Sequence, residues 1–143
     1  MSDRTNLLHL GSAQRSFRGE GRSTPVGQDD FPVLAIVAPN GAPNQSVMWF
    51  DLDPEQPDTI VMNTKTGRAK NRWLREGAPV SLLFEDRLFY YAFQGRVELD
   101  DDPESALAVI KELARRYGAD PATFDGQKRV TIRMRVEKVI RHD

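Results

Sequence analysis

The chain reads as a mainly β protein, a small six-stranded antiparallel barrel carrying two helices, and three observations predict it. From Phe31 onward, short apolar runs recur between turn signals, as in strands joined by tight connections. Residues 88–99 form a long strand that is apolar on both faces, with Phe89, Tyr91 and Phe93 on one side and Leu88, Tyr90 and Ala92 on the other. Residues 128–142 alternate apolar and polar side chains, the two-residue period of a sheet with one buried face. Even spacing and short loops favour closure into a barrel over an open sheet.

The elements follow in order. Residues 1–30 are polar, rich in Gly, Ser and Arg, and hold little to bury after Leu10, so they are expected to form a flexible arm before a domain spanning 31–143. Residues 33–38 are nearly all apolar and suit a strand covered on both faces. Pro39, Asn40 and Gly41 make a turn, because Asn and Gly tolerate positive φ. Residues 44–50 return as the second strand, and 51–58, with two prolines and three aspartates, read as a loop. Residues 59–63 are a third strand and 79–84 a fourth, with Glu85, Asp86 and Arg87 turning the chain into the fifth. Gly95 within that strand signals a bulge or a close backbone approach. A helix begins after Asp102, a capping residue followed by Pro103 and Glu104, and ends at Gly118. Ala106, Ile110, Leu113 and Tyr117 form its apolar stripe. In the last strand the alternation slips by one at Lys138, as a β-bulge would make it do.

Composition narrows the function. Hydrophobic residues make up 39% of the 143, enough for one core and too few for two. A net charge of -1 argues against a surface given over to nucleic acid or anionic membrane. There is no cysteine, so disulfides, thiolate metal sites and thiol nucleophiles are excluded, and a cytoplasmic location is the expectation. With His9 and His142 the only histidines, no metal site is expected. No apolar run approaches membrane-spanning length.

The segment 63–75 stands apart. It is expected to be the first helix, and it holds Lys65, Arg68, Lys70, Arg72 and Arg75 with no acidic residue. Thr64 or Thr66 could cap it, and Gly67 lets the backbone approach a bound group. Helix N-termini offer unpaired N–H groups and partial positive charge, so an anion, above all a phosphate, fits beside Arg68 and Lys70. Arg72 and Arg75 lie further along and suit a solvated face, while Trp73 and Leu74 suit the core.

Several stretches in this order carry a resemblance. The Pro39-Asn40-Gly41 turn, the run Ser46-Val47-Met48-Trp49-Phe50-Asp51, the basic pattern from Thr64 to Arg75, Pro79 to Phe84, and the terminal run from Lys128 to Arg133 resemble the pyridoxamine 5'-phosphate oxidase-like superfamily. More narrowly, the chain is similar to its flavin- and deazaflavin-dependent oxidoreductases of actinobacterial type. The resemblance implies an FMN-binding type of split barrel and a homodimer with two cofactor sites between subunits. It implies a deazaflavin (coenzyme F-420) or FMN as cofactor, and hydride transfer to a small organic substrate. Arg68 and Lys70 would grip the cofactor phosphate, Ser46, Val47, Met48 and Trp49 would lie along the ring, and Asn63 and Lys65 would complete the cofactor-binding set. No catalytic residue of the chain's own is identified, which fits a cofactor that performs the redox step.

Three departures qualify it. Ile36 stands where such proteins often carry a threonine, the N-terminal arm is polar, and the chain ends Arg141-His142-Asp143 without the arginine-to-proline ending of pyridoxamine-phosphate oxidases, so oxidation of vitamin B6 is not expected. Two alternatives stand beside the enzyme. One is a non-catalytic protein that binds or stores a deazaflavin, flavin or haem. The other is a nucleic-acid-binding barrel, weakened because Trp73 is the lone aromatic among the basic residues.

Overall fold

The computed structural model describes residues 30–67, 72–86 and 88–142. The expected arm lies outside these residues except for Asp30, and so do Arg68, Lys70 and Arg87.

Seven strands among the described residues form one antiparallel sheet. They are β1 (Val33–Val37), β2 (Pro43–Val47), β3 (Asp51–Leu52), β4 (Thr59–Lys65), β5 (Pro79–Asp86), β6 (Phe89–Asp100) and β7 (Arg129–His142). Their order across the sheet is β2-β1-β5-β6-β7-β4-β3. Helix α1 (Pro103–Arg116) and a 3-10 turn (Pro121–Phe124) fall between β6 and β7.

Seven strands replace the six expected. The added one is β3, a two-residue pairing of Asp51 and Leu52 with Val61 and Ile60 inside what reads as a loop. The first helix is also corrected. Asn63, Thr64 and Lys65 continue β4, paired with Thr131, Val130 and Arg129. Thr64 is therefore no cap, and the Thr66 hydroxyl donates instead to the Lys128 carbonyl (2.8 Å). Cross-strand pairing with β7 satisfies these backbone groups, which outweighs the local turn-like composition. Helical backbone on the described part of that segment is limited to Arg72 and Trp73. Arg72 and Arg75 are exposed, while Leu74 is buried and Trp73 packs against the core, as expected.

The sheet curls shut. β2 and β3 are its opposite edges, yet only Met48, Trp49 and Phe50 separate them in the chain. Four Cα steps span at most about 15 Å, whereas six inter-strand spacings of a flat sheet span about 29 Å. Phe50 accordingly meets Phe84 of β5 edge-on (4.8 Å), and Phe84 meets Phe93 of β6 (5.4 Å). One core results, drawing on Leu34, Ile60, Met62, Leu82, Ile132 and Met134 as well as these rings. Tyr117 latches the crossing: the Phe50 N–H donates to its hydroxyl (3.3 Å), which donates to the Asp30 carbonyl (2.7 Å).

The bulge is real. Gln94 pairs with Lys138 but Gly95 pairs with Val136, leaving Glu137 as the extra residue. Gly95 is required there, because a Cβ would stand 1.9 Å from the Arg135 carbonyl oxygen. Helix α1 also forms as read, with Asp102 accepting from the Ser105 N–H (2.9 Å) and Ala106, Ile110, Leu113 and Ala114 buried. No helix among the described residues is long and apolar enough to cross a membrane.

Candidate cofactor cavity beside helix α1

Two cavities border α1. The first, of about 280 Å³, lies where the β2 end, the end of β4, the start of β7 and the 3-10 turn converge. Val47, Met48 and Trp49 line it from the edge crossing, and Asn63, Thr64 and Lys65 from β4. Ile110, Phe124 and Arg129 complete the lining. Thus five of the eight residues expected in the site, Val47, Met48, Trp49, Asn63 and Lys65, come together in its lining. Ser46 does not join them: it pairs with Leu34 in the sheet, and its hydroxyl reaches Met48 Sδ (3.8 Å). Arg68 and Lys70 lie outside the described residues.

The sequence reading missed Thr64 as a lining residue, and also Ile110, Phe124 and Arg129. Arg129 is 8% exposed and Asn63 6%. The Arg129 Nε–H donates to Asn63 Oδ1 (2.9 Å), one guanidinium N–H donates to Gln127 Oε1 (2.9 Å), and the guanidinium sits 5.3 Å above the Phe124 ring. The Asn63 amide donates to the Ala106 carbonyl (2.9 Å) and to Thr131 Oγ1 (3.4 Å). Thr64, 3% exposed, has a buried hydroxyl with no hydrogen-bond partner. A buried, unsatisfied hydroxyl costs about 1–3 kcal/mol.

Trp49 stacks on Tyr117 (5.2 Å, 8°) and meets Phe124 edge-on (6.1 Å, 70°). One indole face is therefore covered by Tyr117. The 3-10 turn that carries Phe124 is fixed by Asp120, which accepts from the Ala122 N–H (3.0 Å), and by a Lys111–Asp125 ion pair to α1. Among the described residues, the charged side chains of the lining are Lys65 and Arg129.

The second cavity, of about 320 Å³, has walls of Leu52, Pro54, Val61, Val109 and Leu113. Its charged residues are Asp51, Asp53, Glu55, Glu112 and Arg133. Arg133 donates to Asp53 (2.9 Å), Arg116 to Asp51 (3.2 Å) and Arg115 to Glu112 (2.6 Å). Asp53 also accepts from the Glu55 and Gln56 N–H groups (2.9 and 3.3 Å), closing the β3–β4 loop.

Comparison with known proteins agrees with this architecture. An F420 reductase superposes with a TM-score of 0.67 at 26% identity, over 80% of this chain and 92% of that one. A conserved hypothetical protein from Mycobacterium tuberculosis gives 0.68 at 24% identity, over 82% and 79%. The HupZ protein of Group A Streptococcus gives 0.62 at 21%, over 82% and 93%. No curated protein matches the sequence. The family model described as pyridoxamine 5'-phosphate oxidase matches residues 24–143. With its antiparallel split barrel and a match over most of its length, the chain belongs to the pyridoxamine 5'-phosphate oxidase family.

Proposed function

We propose that the domain 31–143 binds FMN or the deazaflavin coenzyme F-420 in the cavity beside α1, and acts as an oxidoreductase on a small organic substrate. The cavity lining carries this reading. Among the described residues it combines two cations, aromatic rings and a buried hydroxyl that lacks a partner. An aromatic, anionic ligand meets each of those features: rings pack on rings, and the cations form charge-assisted bonds. The F420 reductase among the structural relatives supports the cofactor class.

A bound flavin or deazaflavin supplies the hydride chemistry. The chain's own residues bind and orient it. Lys65 and Arg129 hold anionic groups, Val47, Met48 and Trp49 present an apolar wall, and the Thr64 hydroxyl takes a ligand polar atom. Arg68 and Lys70 grip the phosphate, following Gly67, whose φ of 94° turns the chain out of β4.

We also propose a homodimer. One row of outward side chains crosses five strands, pairing Val47 with Val33, Val33 with Leu83, Leu83 with Ala92 and Ala92 with Ile140. Val47 is 64% exposed, and it belongs both to this row and to the cavity. A second copy on that face would cover the apolar row and border the cofactor. Sedimentation at micromolar concentration tests it; a particle of 16.2 kDa overturns it.

The deciding experiment titrates FMN and coenzyme F-420 into the full chain and into Arg68→Ala with Lys70→Ala. Losing two charge-assisted bonds should weaken the bound cofactor by roughly two to four orders of magnitude. Equal affinity in both proteins sinks the phosphate assignment, and no binding of either sinks the function. Reduction of the bound cofactor by a hydride donor, then reoxidation by an acceptor, separates enzyme from carrier.

A further inference from the structure

Tyr117 reads in the sequence as the last residue of the α1 apolar stripe. In the structure it serves the cavity without lining it. Its backbone N–H donates to the Leu113 carbonyl (3.0 Å), so the side chain projects from the anchored end of α1. Its ring lies behind Trp49, which does line the cavity.

The hydroxyl and the ring do different things. The hydroxyl accepts from the Phe50 N–H (3.3 Å) and donates to the Asp30 carbonyl (2.7 Å), joining main chain to main chain. The ring lies parallel to the Trp49 indole (5.2 Å, 8°) and is itself backed by Phe31 (5.2 Å, 47°). Phe124 meets the indole edge-on (6.1 Å, 70°). An indole turns about two side-chain torsions, and two ring contacts at different angles oppose rotation about either. With one indole face covered by Tyr117, a ligand ring in the cavity meets the opposite face or the edge. Aromatic pairs favour offset-stacked and edge-on geometries, so an indole held in one orientation favours one orientation of the ligand ring.

We propose that Tyr117 is a positioning residue whose ring fixes the Trp49 indole in the cavity wall and so sets the affinity for the flat ring of the ligand. The identity of the ligand rests on the function proposed above; the fixing of Trp49 does not.

The test uses the full chain carrying Trp73→Phe, which leaves Trp49 as its only tryptophan. To this parent is added Tyr117→Phe, which keeps the ring and loses the hydroxyl, or Tyr117→Leu, which loses both. Without ligand, the near-ultraviolet circular dichroism of Trp49 should match the parent in the Phe variant and be largely lost in the Leu variant. FMN and riboflavin, which share a ring and differ by the phosphate, are then titrated by flavin fluorescence. Both should bind the Leu variant about threefold to tenfold more weakly, by the same factor, and the Phe variant within about twofold of the parent. Equal losses in the two variants, a loss confined to FMN, or a Leu variant with the parent's dichroism or affinity each overturns the proposal. If Tyr117→Leu does not fold, the Phe variant decides alone: parent dichroism and affinity support the proposal, and a loss of either overturns it. A chain that binds neither flavin yet shows the contrast in dichroism sinks the proposed function and supports the positioning of Trp49.

Discussion

Helix α1 has a cavity on each border, about 280 Å³ and 320 Å³, and size does not distinguish them. Charge does. Among the described residues, the charged groups lining one are Lys65 and Arg129, and those lining the other are four carboxylates and Arg133. In the acidic cavity, charge is used up inside the protein: Asp51, Asp53 and Glu112 each meet an arginine at hydrogen-bond distance. In the basic cavity, Arg129 donates to an amide on Asn63 and another on Gln127 and lies over an aromatic face. The lesson is that one side of α1 is closed by ion pairs, whereas the other gathers cations and rings, the chemistry that suits an anionic aromatic ligand.

The comparison breaks most visibly in binding. Lys65→Met with Arg129→Met should weaken the cofactor by roughly two to four orders of magnitude, while Glu55→Gln with Glu112→Gln should leave its affinity within about twofold. Calorimetric titration of both pairs checks this; equal losses would mean that the two cavities are not distinct in function.

Stability should show the opposite asymmetry. Asp53→Ala removes an acceptor from Arg133 and from two backbone N–H groups, and should cost about 2 kcal/mol in urea unfolding without changing cofactor affinity. Binding that falls with it would tie the acidic side to the ligand.

Tyr117→Phe should cost about 1–2 kcal/mol, because the Phe50 N–H and the Asp30 carbonyl lose their partner. Burial pushes the Tyr117 hydroxyl above its ordinary value of 10.0, against the lowering effect of the Phe50 N–H and Arg116. Below pH 10 both folded and unfolded chains keep the proton. As pH rises from there, the unfolded chain ionises first, so stability is lost progressively up to the raised folded value. The Phe variant should lack this part of the alkaline loss, and parallel unfolding curves for the two proteins between pH 9 and pH 11 would refute it.

Thr64→Val is the smallest and the sharpest. Removing an unpartnered buried hydroxyl should leave stability unchanged or raise it by up to about 1 kcal/mol. If the hydroxyl serves a ligand, affinity should fall by about threefold to tenfold. A stability loss with unchanged affinity would make Thr64 a plain packing residue.

Much of the fold was legible because its signals are local. The period of β7 and its slip, Gly95, and the Asp102-Pro103 start of α1 each depend on neighbours in the chain. β3 was missed because two residues carry no period. Thr64 and Lys65 read as the start of a helix because a threonine ahead of a basic run resembles a cap; only pairing with Val130 and Arg129 makes them part of the strand. Arg129 was missed for the same reason. Alone it is one more arginine in an alternating strand, and it becomes a site residue only through a register that joins distant segments. Val47, Met48 and Trp49 were found through resemblance rather than pattern.

That register has a consequence for assembly. β7 follows the other six described strands in sequence, yet it lies between β6 and β4. Until it inserts, the sheet is two ribbons, β2-β1-β5-β6 and β4-β3, with no hydrogen-bonded strand between them. Asn63 and Arg129 are 66 residues apart and meet only when it inserts. The part of the cavity lining that joins β4 to β7 therefore forms only once β7 has inserted. A ligand bound there would act as a clasp on that strand, adding about 2.7 kcal/mol at a free concentration a hundred times its Kd.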